Sequence, residues 1–294
     1  MRELDLVRRI REHAAAAYRN RSVVKGIGDD CAIVRPAQEN DLVFTTDFVL
    51  EGRHFSLATH SAQEVGYKAL ARSLSDLAAM GSKPVFCLVS LAVPERLGSR
   101  WIDGFYKGLL SLGTRYKITV AGGDLSSFGS VVVDVMCCGQ VQRNKAILRS
   151  GAKPGDFVYV TGKLGGAAHS KWTTRVEPRI DEGIRLSRHV SAGIDISDGL
   201  SIDLHRLCLE SGVAAELDSA LIPVASGATL DEALHGGEDY ELLVTARPNA
   251  RVPKALVTRI GTIKRGKPGA VTMDGRALPA GGYDHFARVR RVRI

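Results

Sequence analysis

Hydrophobic and polar positions along the chain follow two periods. Runs rich in β-branched and other apolar residues, "DLVFTTDFV", "VFCLVSLAV", "VVVDVMCCGQV", "FVYVTG" and "AGIDIS", predict strands, and helical spacing fills several of the gaps between them. The clearest helix opens at Ser61, where Ser61 and Glu64 have the spacing of a capping box. It continues through an apolar stripe of Leu70, Leu74 and Leu77 and stops at Gly81, with Asp76 on the edge of the stripe. A second helix, "SIDLHRLCLESG", runs from about Ser201 to Gly212. In "MRELDLVRRIREHAAAAY" the residues Leu6, Val7 and Ile10 share one helical face, while Glu3, Asp5 and Glu12 are too acidic for a transit peptide, so a first helix of the fold is expected. Strands alternating with helices argue an α/β or α+β fold.

The segment "RNKAILRSGAKPGD" is polar, carries Gly151, Pro154 and Gly155, and separates two strand-rich parts. It predicts two domains, residues 1–148 and 149–294, which a chain of 294 residues with 45% hydrophobic content can fill. The five cysteines are odd in number and form no C-x-x-C pair, as expected of reduced thiols in a cytoplasmic protein. No run reaches the roughly 18 apolar residues of a membrane helix, so no membrane association is expected. Lys and Arg number 40 against 32 Asp and Glu, but the basic residues are dispersed and aromatics make up only 6%. Nucleic acid is therefore not an expected partner, and the tail "ARVRRVRI" reads as a last strand alternating Arg and Val.

"GTIKRGKP" has Walker A spacing as far as Lys267, but Pro268 stands where a metal-holding hydroxyl is needed, and "GIGDDC" lacks the third glycine of a dinucleotide fingerprint. What recurs is an acid beside glycine or at a strand end: Asp29 and Asp30 after Gly28, Asp47 in "VFTTD", Asp124 in "AGGD", Asp195 and Asp198 in "GIDISDG", and Glu238 and Asp239 in "GGEDYEL". Any one of these would ordinarily be a cap or an Asx-turn, and Asp203, Asp218 and Asp274 are read that way, as surface or turn residues. The set as a whole points to chemistry. Hard carboxylate oxygens at strand ends, without Cys or His pairs, suit Mg²⁺ carried by a nucleotide.

In order along nearly the whole chain, "GIGDDCAIV", "TTDFVLEGRHF", "VGYKALARSLSDLAAMG", "AGGD", "RSGAKPGD", "VTGKLGGA", "IDISDGLSIDL", "GGEDYELL" and "GYDHF" resemble the thiamine-monophosphate kinase family. That family belongs to a wider ATP-binding group with aminoimidazole ribonucleotide synthase and selenophosphate synthetase. The resemblance implies a two-domain fold of that group, with an N-terminal mixed-sheet domain used for homodimerisation and a C-terminal α/β domain. It implies Mg²⁺ ligands at Asp30, Thr45, Thr46, Asp47, Asp76, Asp124, Asp195 and Asp198, and ATP contacts from Tyr106, Gly123, Asp124, Arg149 and Ser197. His54, Glu238 and Tyr283 match positions that hold the thiamine substrate. The implied reaction is direct in-line transfer of a phosphoryl group from ATP to thiamine monophosphate. Several Mg²⁺ ions and Asp47, Asp76 and Asp124 would assist it, with no side chain as general base. The alternatives are a sister enzyme of the same group, or a nucleotide-binding regulator without catalysis.

Overall fold

The computed structural model describes residues 9–10, 12–14, 16–18, 21–25, 33–34, 37, 39–173 and 175–283. Asp29, Asp30 and the tail after Tyr283 lie outside the described residues, so the expectations for Asp30 and for a terminal strand have no structural counterpart. Within the predicted first helix, residues 9–10, 12–14 and 16 are helical, and Arg9 pairs with Asp103.

Two main sheets form among the described residues, and they share no strand. The first has the order β3-β6-β4-β5, built from β3 (Asn40–Leu50), β6 (Val132–Gln142), β4 (Lys83–Val93) and β5 (Thr119–Ser127). β6 is antiparallel to both β3 and β4, whereas β4 and β5 are parallel. The short pair β1 (Val23–Lys25) and β2 (Ile33–Val34) stands apart. The second sheet has the order β13-β12-β9-β11-β7-β10-β8, with β7 (Phe157–Thr161), β8 (Ala192–Ile196), β9 (Ala214–Leu217), β10 (Glu241–Ala246), β11 (Val257–Lys264), β12 (Val271–Met273) and β13 (Arg276–Ala277). All five strands predicted from apolar runs are present.

The helix predicted after Ser61 is α1 (Ala62–Ala79), with the capping box of Ser61 and Glu64 formed in both directions. It ends at Met80 and Gly81, the latter at φ 64°, as a left-handed helix stop requires. Along it lies α2 (Gly98–Arg115). The two approach at backbone distance, since a Cβ on Gly66 would sit 1.9 Å from the Phe105 carbonyl oxygen and one on Gly108 1.9 Å from that of Gln63. Only glycine permits that contact. The remaining helices are α3 (Gly166–His169), α4 (Ile180–Leu186), α5 (Leu200–Ser211) and α6 (Leu230–His235).

α1 is the joint of the molecule. Its apolar stripe of Val65, Leu70, Leu74 and Leu77 is buried in a core shared with Val89, Val133 and Val135 of the first sheet, with Leu242 and Val244 of the second, and with Tyr240 just before β10. A separate core beneath the second sheet joins Val158, Val160, Ile194 and Leu243 to Leu200, Leu204 and Leu207 of α5. Arg72 and Asp76, the partly buried polar residues of α1, face the cavity between the two sheets, and that edge of the helix decides where the chemistry lies.

Candidate active site

Strand β3 alternates strictly. Thr45, Asp47 and Val49 turn toward α1, while Phe44, Thr46 and Phe48 turn to the outer face. On α1, Lys68, Arg72 and Asp76 recur at a spacing of four and so lie on one face. Asp47 from the first row and Arg72 and Asp76 from the second form one wall of a cavity of about 560 Å³. The other walls come from Asp195 on β8, the β8–α5 turn (Ser197, Asp198), the loop 236–240, and His54, Trp172 and Tyr283.

The carboxylates on this wall are strained electrostatically. Burial, reinforced by the neighbouring charge of Asp76, pushes the Asp47 carboxyl up to about 7. Asp76 is raised by burial despite a hydrogen bond from the Thr45 hydroxyl and the nearby cations of Arg149 and Arg72. Asp195 is raised well above the ordinary range, first by burial and then by Asp76, while Ser75 Oγ donates to it at 2.8 Å. No three His, Cys, Asp or Glu side chains among the described residues converge as a preformed metal cage. Oxygen-only donors, crowded and short of positive charge, fit a hard cation that completes its shell with phosphate oxygens and water, as Mg²⁺ does.

On the opposite side the charge is already balanced. Lys68 Nζ meets Glu238 Oε2 at 2.6 Å and also donates to the His54 carbonyl at 2.7 Å. Arg72 donates to Glu238 Oε1 at 2.9 Å and reaches Asp47 at 3.8 Å, linking the aspartate side to the glutamate side. Glu238 and Tyr240 both hold positive φ, 66° and 51°, which non-glycine residues seldom do. Backbone N–H groups of Glu238 and Tyr240 fix them by donating to Ser197 and Ile196 carbonyls at 2.7 and 2.8 Å. His54 accepts the Leu50 N–H at Nδ1 at 3.0 Å, which assigns the ring proton to Nε2.

The cavity thus unites Asp47, Asp76, Asp195, Ser197, Asp198, His54, Glu238 and Tyr283 from the sequence reading. Arg149 is near enough to Asp76 to act on its charge. Thr45 and Arg149 do not line the cavity themselves but act on Asp76, and four further expected residues lie away from it. Thr46 faces outward and donates to Asp134. Gly123 and Asp124 are exposed on the edge strand β5, where Gly123 is required because a Cβ would sit 1.9 Å from the Val89 carbonyl oxygen. Tyr106 is buried on the core face of α2, edge-on to Phe105, so its helical period places it in packing.

Asp203, read as a surface or turn residue, is instead fully buried. Its Oδ2 accepts the backbone N–H groups of Ser197, Asp198 and Gly199 at 3.0–3.1 Å, and Arg206 bridges its Oδ1 to Asp198. Asp218 and Asp274 are turn residues as expected. Asp239, left without a role, accepts the N–H groups of Gly165 and Ala167 at the start of α3. Lys68 and Arg72 were missed, although three charges spaced by four in the otherwise apolar "KALARSLSD" were the available signal.

A two-sheet fold with a carboxylate-lined cleft between the halves defines a class. Residues 28–141 match the AIR synthase related protein N-terminal domain, and residues 153–272 match the corresponding C-terminal domain. Within that class, the thiamine-monophosphate kinase of Buchnera aphidicola subsp. Schizaphis graminum is 33% identical, over 91% of this chain and 94% of its own. The crystal structure of thiamine-monophosphate kinase from Stenotrophomonas maltophilia K279a superposes with a TM-score of 0.83 at 33% identity, over 95% of this chain and 98% of that one. AaThiL complexed with AMPPCP and TMP superposes with a TM-score of 0.79 at 31% identity, over 97% and 99%. The chain belongs to the thiamine-monophosphate kinase family.

Proposed function

We propose that the cavity between the two sheets is the site at which this chain, an ATP-dependent kinase, converts thiamine monophosphate to thiamine diphosphate. The observation that carries the site assignment is the convergence of Asp47, Asp76, Asp195 and Asp198 with the Lys68–Arg72–Glu238 cluster in one cavity. The attacking group is a phosphate monoester, with a second pKa of about 6 on the phosphoserine analogy, so it is largely ionised at neutral pH and needs no general base. The remaining difficulty is to bring that anion against a triphosphate.

Asp47, Asp76, Asp195 and Asp198, with the Thr45 hydroxyl beside Asp76, are the residues that would hold magnesium. Bound there, magnesium supplies charge neutralisation between donor and acceptor phosphates. Arg149, Ser197, Gly123 and Asp124 are assigned to the nucleotide side, Asp124 and Gly123 from the exposed edge of β5. Thr46 remains assigned to the metal, Asp30 with it, and Tyr106 to ATP on the resemblance alone. His54, Glu238 and Tyr283 are assigned to the thiamine side. The division into residues 1–148 and 149–294 is supported by the absence of any strand shared between the two sheets.

A homodimer is supported by the outer face of the first sheet, where Phe44 and Phe48 are 61% and 58% exposed. No described helix is long and apolar enough to cross a membrane. A cytoplasmic location is supported by the odd number of cysteines and their lack of any C-x-x-C pair.

The test is to incubate the protein with ATP, Mg²⁺ and thiamine monophosphate and measure thiamine diphosphate as its fluorescent thiochrome. Controls are unphosphorylated thiamine and Asp47→Ala. Product from the monophosphate alone, lost in the variant, is the expected result. MgATP binding without product would redirect the assignment to a sister activity of the same fold.

A further inference from the structure

Trp172 is one of two tryptophans in the chain, is 48% exposed, and lines the same cavity as His54, Glu238 and Tyr283. A large aromatic ring left open to water inside a cleft has forgone burial in the core, which is a reason to ask what covers it.

Its backbone is held in an unusual way. α3 is a single turn, and the chain leaves it through Lys171 and Trp172, both in the left-handed region at φ 56° and 60°. The Lys171 and Trp172 N–H groups donate to the Ala168 and Ala167 carbonyls at 2.9 and 2.7 Å, so the helix-stop turn fixes the position from which the indole projects. The start of the same turn is pinned by Asp239, whose carboxylate accepts the Gly165 and Ala167 N–H groups at 2.7 and 3.2 Å. Trp172 is thereby tied to the loop that carries Glu238. Tyr283, 38% exposed, is tied to another wall by its N–H donating to the Asp198 carbonyl at 3.0 Å.

The cluster that could have recognised a cationic ring by charge is already engaged, because Glu238 is paired with both Lys68 and Arg72. Recognition of a flat, positively charged heteroaromatic ligand then falls to aromatic faces, and indole is the best of these for a cation. We infer that Trp172 is a specificity-determining wall of the substrate half of the cavity, stacking on the thiazolium and aminopyrimidine rings of thiamine monophosphate. This inference rests on the functional reading above and extends it by a residue which that reading does not use.

The experiment uses the full chain. With Trp101→Phe, Trp172 becomes the sole tryptophan, and its emission is followed while thiamine monophosphate or inorganic phosphate is added without ATP. Saturable quenching by thiamine monophosphate, and none by phosphate, is expected. In steady-state assays Trp172→Ala is expected to raise KM for thiamine monophosphate about tenfold, the size of one cation–π contact of about 1.4 kcal/mol, with kcat and the KM for ATP within about twofold. Trp172→Phe, which keeps a ring, should stay within about threefold of wild type. Turnover by wild type with an unchanged KM in Trp172→Ala, or emission from Trp172 that thiamine monophosphate does not move, overturns the inference and leaves the kinase reading intact. Absence of product from wild type overturns both.

Discussion

The Lys68 ammonium lies 2.6 Å from Glu238 and 2.7 Å from the His54 carbonyl, so one buried cation ties the loop after β3 to the loop before β10 across the two halves of the molecule. Burial lowers the Lys68 pKa even with Glu238 opposite it, so the pair is a real dependence of each charge on the other.

From this follows the first expectation. Glu238→Gln removes the counter-charge of Lys68 and one partner of Arg72, and leaves a buried ammonium that should cost about 3–5 kcal/mol. KM for thiamine monophosphate is expected to rise about tenfold, with a smaller fall in kcat. Adding Lys68→Met should recover most of the melting temperature but not KM, because packing is repaired while the geometry of the substrate side is not. An unchanged KM in the single variant would contradict the assignment of Glu238 to the substrate side.

The aspartates set the pH dependence of the metal-free protein. A carboxyl at about 7 in the folded chain, against 3.8 in the unfolded one, binds a proton on folding throughout that interval, so stability rises as pH falls from 8 toward 5. Asp203 and Asp239, each pushed up to about 6 by burial, add in the same direction. Without magnesium the melting temperature should therefore increase by at least about 2–4 °C on acidification, the equivalent of roughly 1 kcal/mol in a chain of this size. Asp47→Asn should flatten part of this slope, leave the metal-free fold as stable or more so at pH 8, and reduce turnover by at least about 10²-fold. A calorimetric scan showing Asp47→Asn strongly destabilised would instead make Asp47 structural.

Much of this was legible in the sequence, for reasons that differ by element. β3 and α1 announce themselves because each buries one face and exposes another, and the Ser61–Glu64 box is a local interaction that sequence spacing fixes. Acids beside glycine or at a strand end marked Asp47, Asp195 and Asp198, the family resemblance marked Asp76, and the fold gathers all four. The role of Asp203 was hidden because its partners are backbone N–H groups, which carry no sequence signature. Lys68 and Arg72 were hidden because a charge on a helix is ordinarily solvated, and only packing of α1 between the sheets buries them. Trp172 depends on a turn of two left-handed non-glycine residues, which no propensity favours.

Asp203 gives a prediction separable from catalysis by metal. Its Oδ2 collects three N–H groups of the Ser197–Gly199 turn, and its Oδ1 meets Arg206. Asp203→Ala leaves those donors unsatisfied in a dry setting and should cost about 3 kcal/mol, or roughly 6–12 °C in melting temperature. Because the same turn carries Ser197 and Asp198, the affinity for ATP should fall as well. Retention of wild-type melting and ATP binding would show that the turn holds its shape without this carboxylate.

The outer face of the first sheet provides a test of assembly. Leu42, Phe44, Leu88 and Met136 lie on that face around the small cluster of Val85, Phe86, Ala121 and Cys138, and Phe44 and Phe48 remain more than half exposed. Two rings on one exposed sheet face, on either side of Thr46, are costly to leave in water, and a second copy of the same face removes both at once through an isologous contact. Phe44→Asp combined with Phe48→Asp would place two carboxylates per protomer, four per dimer, in the contact, a repulsion that burial of the remaining apolar area does not offset. Sedimentation equilibrium should therefore give a dimer for wild type and a monomer for the double variant at the same micromolar concentration. The side chains of Thr45 and Asp47 point the other way from this face, so the isolated monomer should still bind MgATP. A wild-type chain that sediments as a monomer throughout that range would remove the homodimer from the description of this protein.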